Sequence, residues 1–347
     1  MAFNFGEDIG IDLGTASVLV YVKNKGIVLN EPSVVALDKS SGKIIAVGEE
    51  ARRMLGRTPG NIVAIRPMKE GVIADYDVTE KMLRYFIGKA LNKRFFFKPR
   101  VMVGIPSGVT SVEDRAVKQA AISAGAKAAF LVEEPLAAAL GAGLEIGEAN
   151  GSMVVDIGGG TTDVAVLSLG GIVTSKSVRV GGDKLDEAIV RHMRRNHNLM
   201  IGERSAEEIK IEIGSAYPQG KEKTVADIRG RDLVSGLPKT LRITTEEIYE
   251  AIKEPLDAIM GATKEVLERT PPELAADIMN KGIVLTGGGA LLHGLDRFIG
   301  EGTRLPIHIA ENTVQCVALG TAKALTHLDM LQNARSFKHI PRQMQAL

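Results

Sequence analysis

An apolar strand, a glycine turn and a returning strand occur twice in this chain, and no other pattern limits the possible folds so strongly. The first copy spans residues 9–15 (IGIDLGT) and the second spans residues 153–163 (MVVDIGGGTTD), each followed by a β-rich stretch. The aspartates of the two copies, Asp12 and Asp156, are 144 residues apart (156 minus 12). A hairpin repeated at this distance predicts two similar lobes, each built around its own sheet, with glycine turns that can face each other.

Helices are predicted between and after the two hairpins. Each predicted helix starts at a Ser or Thr with a Glu three residues later, a pattern that caps the first turn. These pairs predict a helix over 112–124 after Thr110, a helix over 206–214 after Ser205, and a long helix from Thr244 to just before Pro271. Pro255 lies inside the third segment, and we expect it to kink or divide that helix. Strands that alternate with helices place the chain in the α/β class.

The two glycine turns suit a phosphate chain. Clustered glycines leave backbone N–H groups unobstructed, and such concave nests bind phosphate oxygens. Asp12 and Asp156 stand just before the turns, where carboxylates would hold Mg²⁺ through its waters and offset the phosphate charge. Thr15, Thr161 and Thr162 add hydroxyl donors. The alternative is two ordinary hairpin turns with capping aspartates, and the recurrence of the motif favours phosphate binding.

A third glycine cluster occupies residues 282–290 (GIVLTGGGA). It follows an apolar strand, and we expect it to open a helix through Leu291 and Leu292. Without side chains from Gly287 to Gly289, a flat adenine ring can lie against the backbone there. The chain lacks the pattern G-x-x-x-x-G-K-[ST], which excludes a P-loop protein. It also lacks G-x-G-x-x-G after its first strand, which weighs against a dinucleotide site.

Taken in order, residues 12–15 (DLGT), 156–163 (DIGGGTTD) and 286–290 (TGGGA) resemble the motifs of the ATPase superfamily that contains actin, sugar kinases and heat-shock chaperones. Within this superfamily, the chain is similar to the family of bacterial actins that comprises MreB and Mbl. The similarity runs from about residue 8 to about residue 328. Nine further stretches carry it: 30–36 (NEPSVVA), 48–51 (GEEA), 57–60 (RTPG), 66–67 (RP), 71–75 (GVIAD), 133–135 (EEP), 201–204 (IGER), 229–232 (RGRD) and 269–274 (RTPPEL).

The resemblance implies an actin-like ATPase fold of two lobes, each with a duplicated ribonuclease-H-like core and a small inserted subdomain. In the first lobe, the implied inner subdomain comprises 1–31, 76–145 and 320–347, and the outer one 32–75. In the second lobe, the implied inner subdomain comprises 146–180 and 246–319, and the outer one 181–245.

The resemblance also implies which residues bind ATP. Gly14, Thr15, Ala16 and Ser17 match the first phosphate loop, although the family usually has Asn where this chain has Ser17. Gly158, Gly159, Gly160 and Thr161 match the second phosphate loop, and Gly287, Gly288, Gly289, Ala290 and Leu291 match the adenosine loop. Glu207, Glu208 and Lys210 lie at the helix start that reaches the nucleoside from the far lobe. Without the family match, Glu207 and Lys210 would be interpreted as a solvated ion pair on a helix face.

Hydrolysis needs a side chain that orients and polarises a water molecule in line with the γ-phosphate. Glu134 matches the family's catalytic glutamate, and Thr161 would help to position the water. The competing interpretation is that Glu133 or Glu134 only caps the helix that begins beside Pro135. Both catalytic roles need closed lobes, so we expect slow turnover in the monomer and faster turnover in a polymer.

Residues 93–100 (KRFFFKPR) combine three aromatic rings with basic residues. Phe95, Phe96 and Phe97 at a loop tip can enter a membrane while the cations contact anionic headgroups. A buried strand start is the alternative, but the matching loop of the family inserts into membranes, which favours membrane contact. We expect peripheral attachment to the inner face of the cell membrane, weak for one subunit and strengthened by many copies on one filament.

Composition excludes several other classes. The 43 basic and 42 acidic residues give a formal net charge of +1, so no nucleic-acid partner is predicted. The single Cys316 cannot form an intrachain disulfide, and no apolar stretch reaches membrane-spanning length, so we expect a cytoplasmic protein. The six histidines show no spacing typical of a metal site.

The resemblance implies a Mg²⁺-dependent bacterial actin that binds and slowly hydrolyses ATP. Its filaments, expected as antiparallel pairs, would lie on the membrane, bind membrane-bound proteins of cell-wall synthesis and elongation, and determine rod shape. One alternative is a small-molecule, sugar-type kinase of the same superfamily, for which we find no convincing catalytic aspartate. Another is a chaperone-type ATPase, which is disfavoured because the chain ends shortly after the third glycine motif.

Overall fold

We describe the protein from a computed structural model over residues 7–91, 98–218 and 224–326. Strands and helices alternate along these residues, as predicted. The strands are β1 (Asp8–Leu13), β2 (Ser17–Val22), β3 (Gly26–Pro32), β4 (Val35–Asp38), β5 (Ile44–Val47), β6 (Ile62–Ile65), β7 (Met68–Lys69), β8 (Val72–Ile73), β9 (Arg100–Ile105), β10 (Ala128–Glu133), β11 (Ser152–Ile157), β12 (Thr162–Ser168), β13 (Gly171–Val178), β14 (Leu199–Met200), β15 (Val225–Asp232), β16 (Pro238–Thr244), β17 (Ile283–Thr286) and β18 (Ile307–Ile309). The α-helices are α1 (Glu49–Arg52), α2 (Tyr76–Ala90), α3 (Ser111–Ser123), α4 (Glu134–Gly141), α5 (Gly182–His197), α6 (Glu203–Ile213), α7 (Thr245–Glu268), α8 (Pro272–Lys281), α9 (Leu295–Thr303) and α10 (Cys316–Thr326).

Two five-stranded sheets share one topology. The first has the order β3-β2-β1-β9-β10 and the second has the order β13-β12-β11-β17-β18. In each sheet the first three strands are antiparallel and the last two run parallel to the central strand. The repeated hairpins are β1-β2 and β11-β12, at equivalent places in the two sheets. The duplication predicted from the sequence is therefore confirmed.

Helices α4 and α10 lie between the two sheets. An apolar core joins Met102 of the first sheet and Val154 of the second to Leu136 of α4 and Val317 of α10, all of them buried. The two helices approach so closely that a side chain at Gly141 of α4 would overlap the main chain of α10. The first residue of α4 is thereby fixed at the junction of the lobes.

The outer faces of the sheets carry separate cores. Helices α2 and α3 cover the first sheet, and α5, α7 and α8 cover the second. Two small sheets, β5-β4-β6 and β14-β15-β16, fall within the predicted insertions 32–75 and 181–245. The division into subdomains at those residue boundaries stays a prediction. Over the described ranges, none of the helices has the length and apolar character needed to cross a bilayer.

The predicted helix starts are confirmed in two of three cases. Thr110 forms a complete capping box with Glu113, and Thr244 accepts a hydrogen bond from the backbone N–H of Glu247. The third prediction is wrong by three residues, because α6 begins at Glu203 after Gly202 and has no side-chain cap.

Two further predictions about helices need correction. The division of α7 at Pro255 is wrong, because the helix runs through this buried residue without a break, while a kink there stays a prediction. The third glycine cluster opens a 3₁₀ turn, Gly288–Leu291, and not an α-helix. Gly287 adopts φ of 80° there and its N–H donates to the Thr313 carbonyl, so the chain turns tightly before any α-helical turn can form.

Candidate functional site

A cavity of about 410 Å³ lies between the two lobes, at the glycine turns. The predicted site residues that line it are Asp12, Gly14, Thr15, Ala16, Ser17, Glu134, Asp156, Gly158, Gly159, Gly160, Thr161, Glu207, Lys210, Gly287, Gly288, Gly289 and Leu291. Residues from five separate segments of the sequence thus meet at one place. The cavity is large enough for a small organic ligand.

Two predicted nucleotide contacts are not on the cavity wall. Ala290 lies within the 3₁₀ turn, where it is buried. The Glu208 carboxylate accepts a hydrogen bond from Arg204 on the exposed side of α6, because a helix turns successive side chains in different directions. Phe95, Phe96 and Phe97 lie outside the described residues.

The two glycine turns touch each other across the cavity. A Cβ atom added to Gly159 would lie 2.6 Å from Cβ of Ala16, and one added to Gly160 would overlap Oγ1 of Thr15. Only glycine therefore permits this approach of the second turn to the first. Thr15 Oγ1 also accepts a hydrogen bond of 3.0 Å from the N–H of Gly71, which ties the first turn to the outer part of its lobe.

Hydrogen bonds hold the second turn with its amides available. The Gly158 N–H donates to the Thr161 carbonyl at 2.9 Å. At the start of α5, the N–H groups of Gly182 and Asp183 donate to the carbonyls of Gly158 and Gly159, at 3.0 and 2.8 Å. The amides of Gly159 and Gly160 donate to no acceptor within the described ranges. Such amides at the edge of a cavity suit phosphate oxygens.

Carboxyl groups are concentrated at the base of the cavity and directly behind it. Glu134, Asp156 and Asp163 are buried, and Asp12 is half-buried. Asp156 accepts a hydrogen bond from Thr286 at 2.7 Å, and Asp163 accepts one from the Ser107 N–H at 2.7 Å. These bonds fix two of the four carboxyl groups in place.

Burial perturbs all four carboxyl groups. It raises the pKa of Asp12 to about 8, with the charge of Asp156 adding to the rise. It raises the pKa of Asp156 to about 6 and that of Asp163 to about 7. Burial, followed by the charges of the three aspartates, also holds the pKa of Glu134 well above its ordinary value. Without a cation, the cluster favours its protonated forms.

This cluster predicts the pH dependence of the nucleotide-free protein. The folded-state pKa values exceed the ordinary value of 3.8, so the folded state binds more protons, and stability falls as pH rises from about 4 to about 8. We expect a slope of about −1.4 kcal/mol per pH unit for each extra proton bound. Urea unfolding in EDTA across this window measures it. The variant Asp12→Asn should show a shallower slope, and a stability that rises with pH would contradict the prediction.

A cation fits the cavity chemically. Its walls carry the carboxyl groups of Asp12, Glu134, Asp156, Asp183, Asp186 and Glu207, but a single lysine, Lys210. Lys210 is itself engaged by Asp186, at 2.8 Å. A polyphosphate that entered this cavity would need a positive ion to offset both sets of negative charge. Carboxylate oxygens and waters are the ligands that Mg²⁺ prefers.

Several ion pairs bridge the two lobes, and two of them join the outer part of the first lobe to helices α5 and α6 at the cavity. Arg66 lies 2.9 Å from Asp183 at the start of α5, and Arg52 lies 3.0 Å from Glu207 on α6. All four side chains are partly exposed, so each pair contributes modestly. Together they hold the outer part of the first lobe against the second lobe.

Loss of the Arg66 pair should weaken the closed state. We expect Arg66→Met to lower ATP affinity by about threefold to tenfold, because a pair of this exposure is worth about 1 kcal/mol. Isothermal titration with ATP measures the change. Arg53→Met is the matched control, since Arg53 pairs with Glu49 within its own lobe. Equal affinities of the two variants would contradict the bridging role.

Glu134 is the first residue of α4 and points to the cavity. Glu133 is the N-cap residue, but its side chain makes no capping hydrogen bond and instead accepts one from Ser107 Oγ at 2.7 Å. The interpretation of Glu133 as a helix cap is therefore not supported. Thr161 is buried at the cavity wall in the second turn.

Comparison with known proteins decides which family this arrangement belongs to. The model of the MreB/Mbl protein family matches residues 6–333. The chain belongs to the MreB/Mbl family. The cell shape-determining protein Mbl of Bacillus cereus is 58% identical over 94% of the chain and 98% of that protein. The cell shape-determining protein MreB of Escherichia coli is 56% identical over 94% of the chain and 95% of that protein.

Solved structures agree with the MreB/Mbl assignment. MreB5 of Spiroplasma citri bound to ADP has a TM-score of 0.88 and 39% identity, covering 94% of this chain and 98% of that one. The AMPPNP-bound form of MreB5 has the same TM-score and identity, and the match covers 94% of this chain and 97% of that one. The MamK double helical filament has a TM-score of 0.77 at 22% identity, covering 92% and 98%, and shows the fold alone. The predicted actin-like ATPase fold is confirmed, and the kinase alternative gains no support.

Several cavity residues of this MreB/Mbl chain were missed from the sequence. Asp183 and Asp186 on α5 and His293 beside the 3₁₀ turn line the wall, and Arg66 bridges the cleft. The local sequence offers one signal, the pair Gly181-Gly182 before Asp183. Two glycines there permit the start of α5 to approach the second glycine turn closely. The bridging arginines depend on contacts between lobes, which no local pattern reveals.

Proposed function

We propose that this chain is an ATP-hydrolysing bacterial actin of the MreB/Mbl family that forms membrane-associated filaments and helps to determine rod shape. The observation that carries this proposal is the contact of the two glycine turns across a cavity whose base holds Glu134. Because a ligand held by both turns would contact both lobes, its binding would set the angle between the lobes. Nucleotide binding is further supported by MreB5, which is 39% identical and was solved with ADP and with AMPPNP.

The nucleotide would bind with its phosphates between the turns. The free amides of Thr15, Ala16, Gly159 and Gly160 would donate to phosphate oxygens. The adenosine would lie against the main chain from Gly287 to Gly289 with Leu291, and Glu207 and Lys210 would reach it from α6. Mg²⁺, held through water by Asp12 and Asp156, would offset the negative charge of the phosphates.

Glu134 and Thr161 would act on the attacking water. Glu134 is fixed by the packing of α4 between the sheets, so its carboxylate is held in place before the nucleotide enters. Burial, followed by the charges of the neighbouring aspartates, raises its pKa, and a bound cation would lower that pKa, leaving the carboxylate to accept a proton from water. Thr161 would orient the same water from the opposite turn. Both contacts need the closed cleft, so hydrolysis would be slow in a monomer and faster in a polymer.

Assembly follows from the coupling of the nucleotide to lobe closure. Subunits with the four predicted subdomains would stack into a polymer. Contacts between successive subunits would favour the conformation in which the lobes are closed. We propose antiparallel filament pairs and peripheral contact with the inner face of the cell membrane through Phe95, Phe96 and Phe97. Membrane-bound proteins of cell-wall synthesis and elongation would be the partners of the filament.

Light scattering and electron microscopy test the proposal. The full chain is incubated with Mg²⁺ and ATP, with and without anionic liposomes. We expect paired filaments that form on the liposomes, and loss of liposome binding in the variant with Phe95, Phe96 and Phe97 replaced by serine. A chain that stays monomeric under all these conditions and transfers the γ-phosphate to a sugar would refute it.

A further inference from the structure

Three side chains of the kind that bind metal ions meet on the second lobe, away from the cavity. His192 and His197 lie near the end of α5, and Glu247 lies in the first turn of α7. Nε2 of His192 is 3.0 Å from Oε1 of Glu247, and Nε2 of His197 contacts the same oxygen. One ligand atom from each residue lies within 4.8 Å of the others. None of the three lines the cavity between the lobes.

The end of α5 explains why the sequence spacing predicts no such site. Residues five apart in a helix point about 140° apart, so His192 and His197 would not share a face of a regular helix. Here His197 is the last helical residue, and Asn198 follows in the left-handed conformation with φ of 50°. The sequence spacing of the histidines gave no sign of a metal site, and the third candidate ligand, Glu247, comes from a distant helix.

The Glu247 carboxylate is directed to the histidines instead of the helix terminus. The pair Thr244 and Glu247 has the sequence of a capping box, in which the Glu side chain bonds back to the N-cap N–H. Thr244 does accept from the Glu247 N–H, at 3.3 Å. Both hydrogen bonds recorded for the Glu247 carboxylate, however, are to the two imidazoles. Three candidate ligands thus converge from two elements.

We propose that His192, His197 and Glu247 form a binding site for one first-row transition-metal ion, with Zn²⁺ the best match. Two imidazole nitrogens and one carboxylate oxygen are a common protein ligand set for Zn²⁺, with water in the fourth position. Ligand atoms around tetrahedral Zn²⁺ lie about 3.3 Å apart. The 3.0 Å between Nε2 of His192 and Oε1 of Glu247 is close to this value, and Nε2 of His197 lies nearer to the same oxygen. The side chains are 15%, 26% and 27% exposed, which leaves a path for the ion and a water.

The location gives the bound ion a structural role. Helix α5 ends where the chain enters β14, and α7 begins where it leaves β16. The metal would therefore join the two segments that connect the small sheet β14-β15-β16 to the rest of the second lobe. Because the unfolded chain lacks this geometry, the ion should stabilise the folded state.

The test uses the full chain, metal-free and without nucleotide, in buffer that contains Mg²⁺. Titration calorimetry with ZnCl₂ should show one ion per chain, and Co²⁺ should give the visible absorption of a four-coordinate site. His192→Ala, His197→Ala and Glu247→Gln should each weaken Zn²⁺ binding by more than about tenfold. Removal of a direct ligand should cost more than removal of a residue that only orients a ligand, which costs about tenfold at least.

His308→Ala is the control, since His308 is an exposed histidine on β18 of the same lobe. It should bind Zn²⁺ as the parent chain does, and Zn²⁺ should raise the melting temperature of both. His327 and His339, outside the described residues, remain in every variant and so do not affect the comparison. ATP binding of each variant checks that it is folded. No stoichiometric Zn²⁺ binding, or equal affinity in His197→Ala, Glu247→Gln and His308→Ala, would overturn the proposal.

Discussion

Glu134→Gln is expected to lower ATP turnover by about 10²- to 10⁴-fold while leaving ATP affinity nearly unchanged. The amide keeps the shape of the side chain at the start of α4 but cannot accept a proton from the attacking water. Single-turnover hydrolysis measured beside equilibrium binding separates the two effects.

The same substitution should not destabilise the nucleotide-free protein. Burial, followed by the charges of the neighbouring aspartates, holds the pKa of Glu134 well above its ordinary value, so an uncharged amide suits this position in the nucleotide-free protein. A melting temperature equal to or above that of the parent would show that lost turnover is not caused by misfolding. Glu133→Gln is the control, because the Glu133 carboxylate bonds to Ser107. Hydrolysis at the parent rate by Glu134→Gln would remove Glu134 from the mechanism.

Gly160→Ala should weaken ATP binding by about 10- to 100-fold. The new methyl group would overlap Thr15 across the cleft, and overpacking of this kind costs about 1–3 kcal/mol. The two turns would be forced apart, and amides of both would lose their common ligand. Titration of the variant with ATP and Mg²⁺ measures the loss.

Gly147→Ala is the matched control for Gly160→Ala. A Cβ at Gly147 meets nothing within 4 Å, and its backbone conformation suits any residue. We expect Gly147→Ala to bind ATP as the parent does. If Gly160→Ala bound ATP equally well, the close contact of the two turns would not matter for the ligand.

Much of the fold could be predicted because its signals are local. The repeated hairpins, β1-β2 and β11-β12, are encoded by alternating apolar residues and glycines within short windows. The capping residue Thr110 likewise sets a helix start through contacts with its immediate neighbours. The resemblance then placed most of the cavity wall, including Glu134 on α4.

What the sequence did not predict depends on contacts between distant segments. Pro255 was expected to kink or divide α7, but the surrounding core keeps that helix undivided. The bridge from Arg66 to Asp183 joins residues 117 positions apart. The meeting of His197 with Glu247 needs both the end of α5 and the start of α7. Local periodicity carries no information about such pairs.

A crystal structure of the chain grown with Mg²⁺ and AMPPNP tests the central claim most directly. We predict one nucleotide between the lobes, with its phosphates against the amides of both glycine turns and its metal near Asp12 and Asp156. Phosphates bound by one turn alone, or a nucleotide lodged elsewhere on the protein, would contradict it.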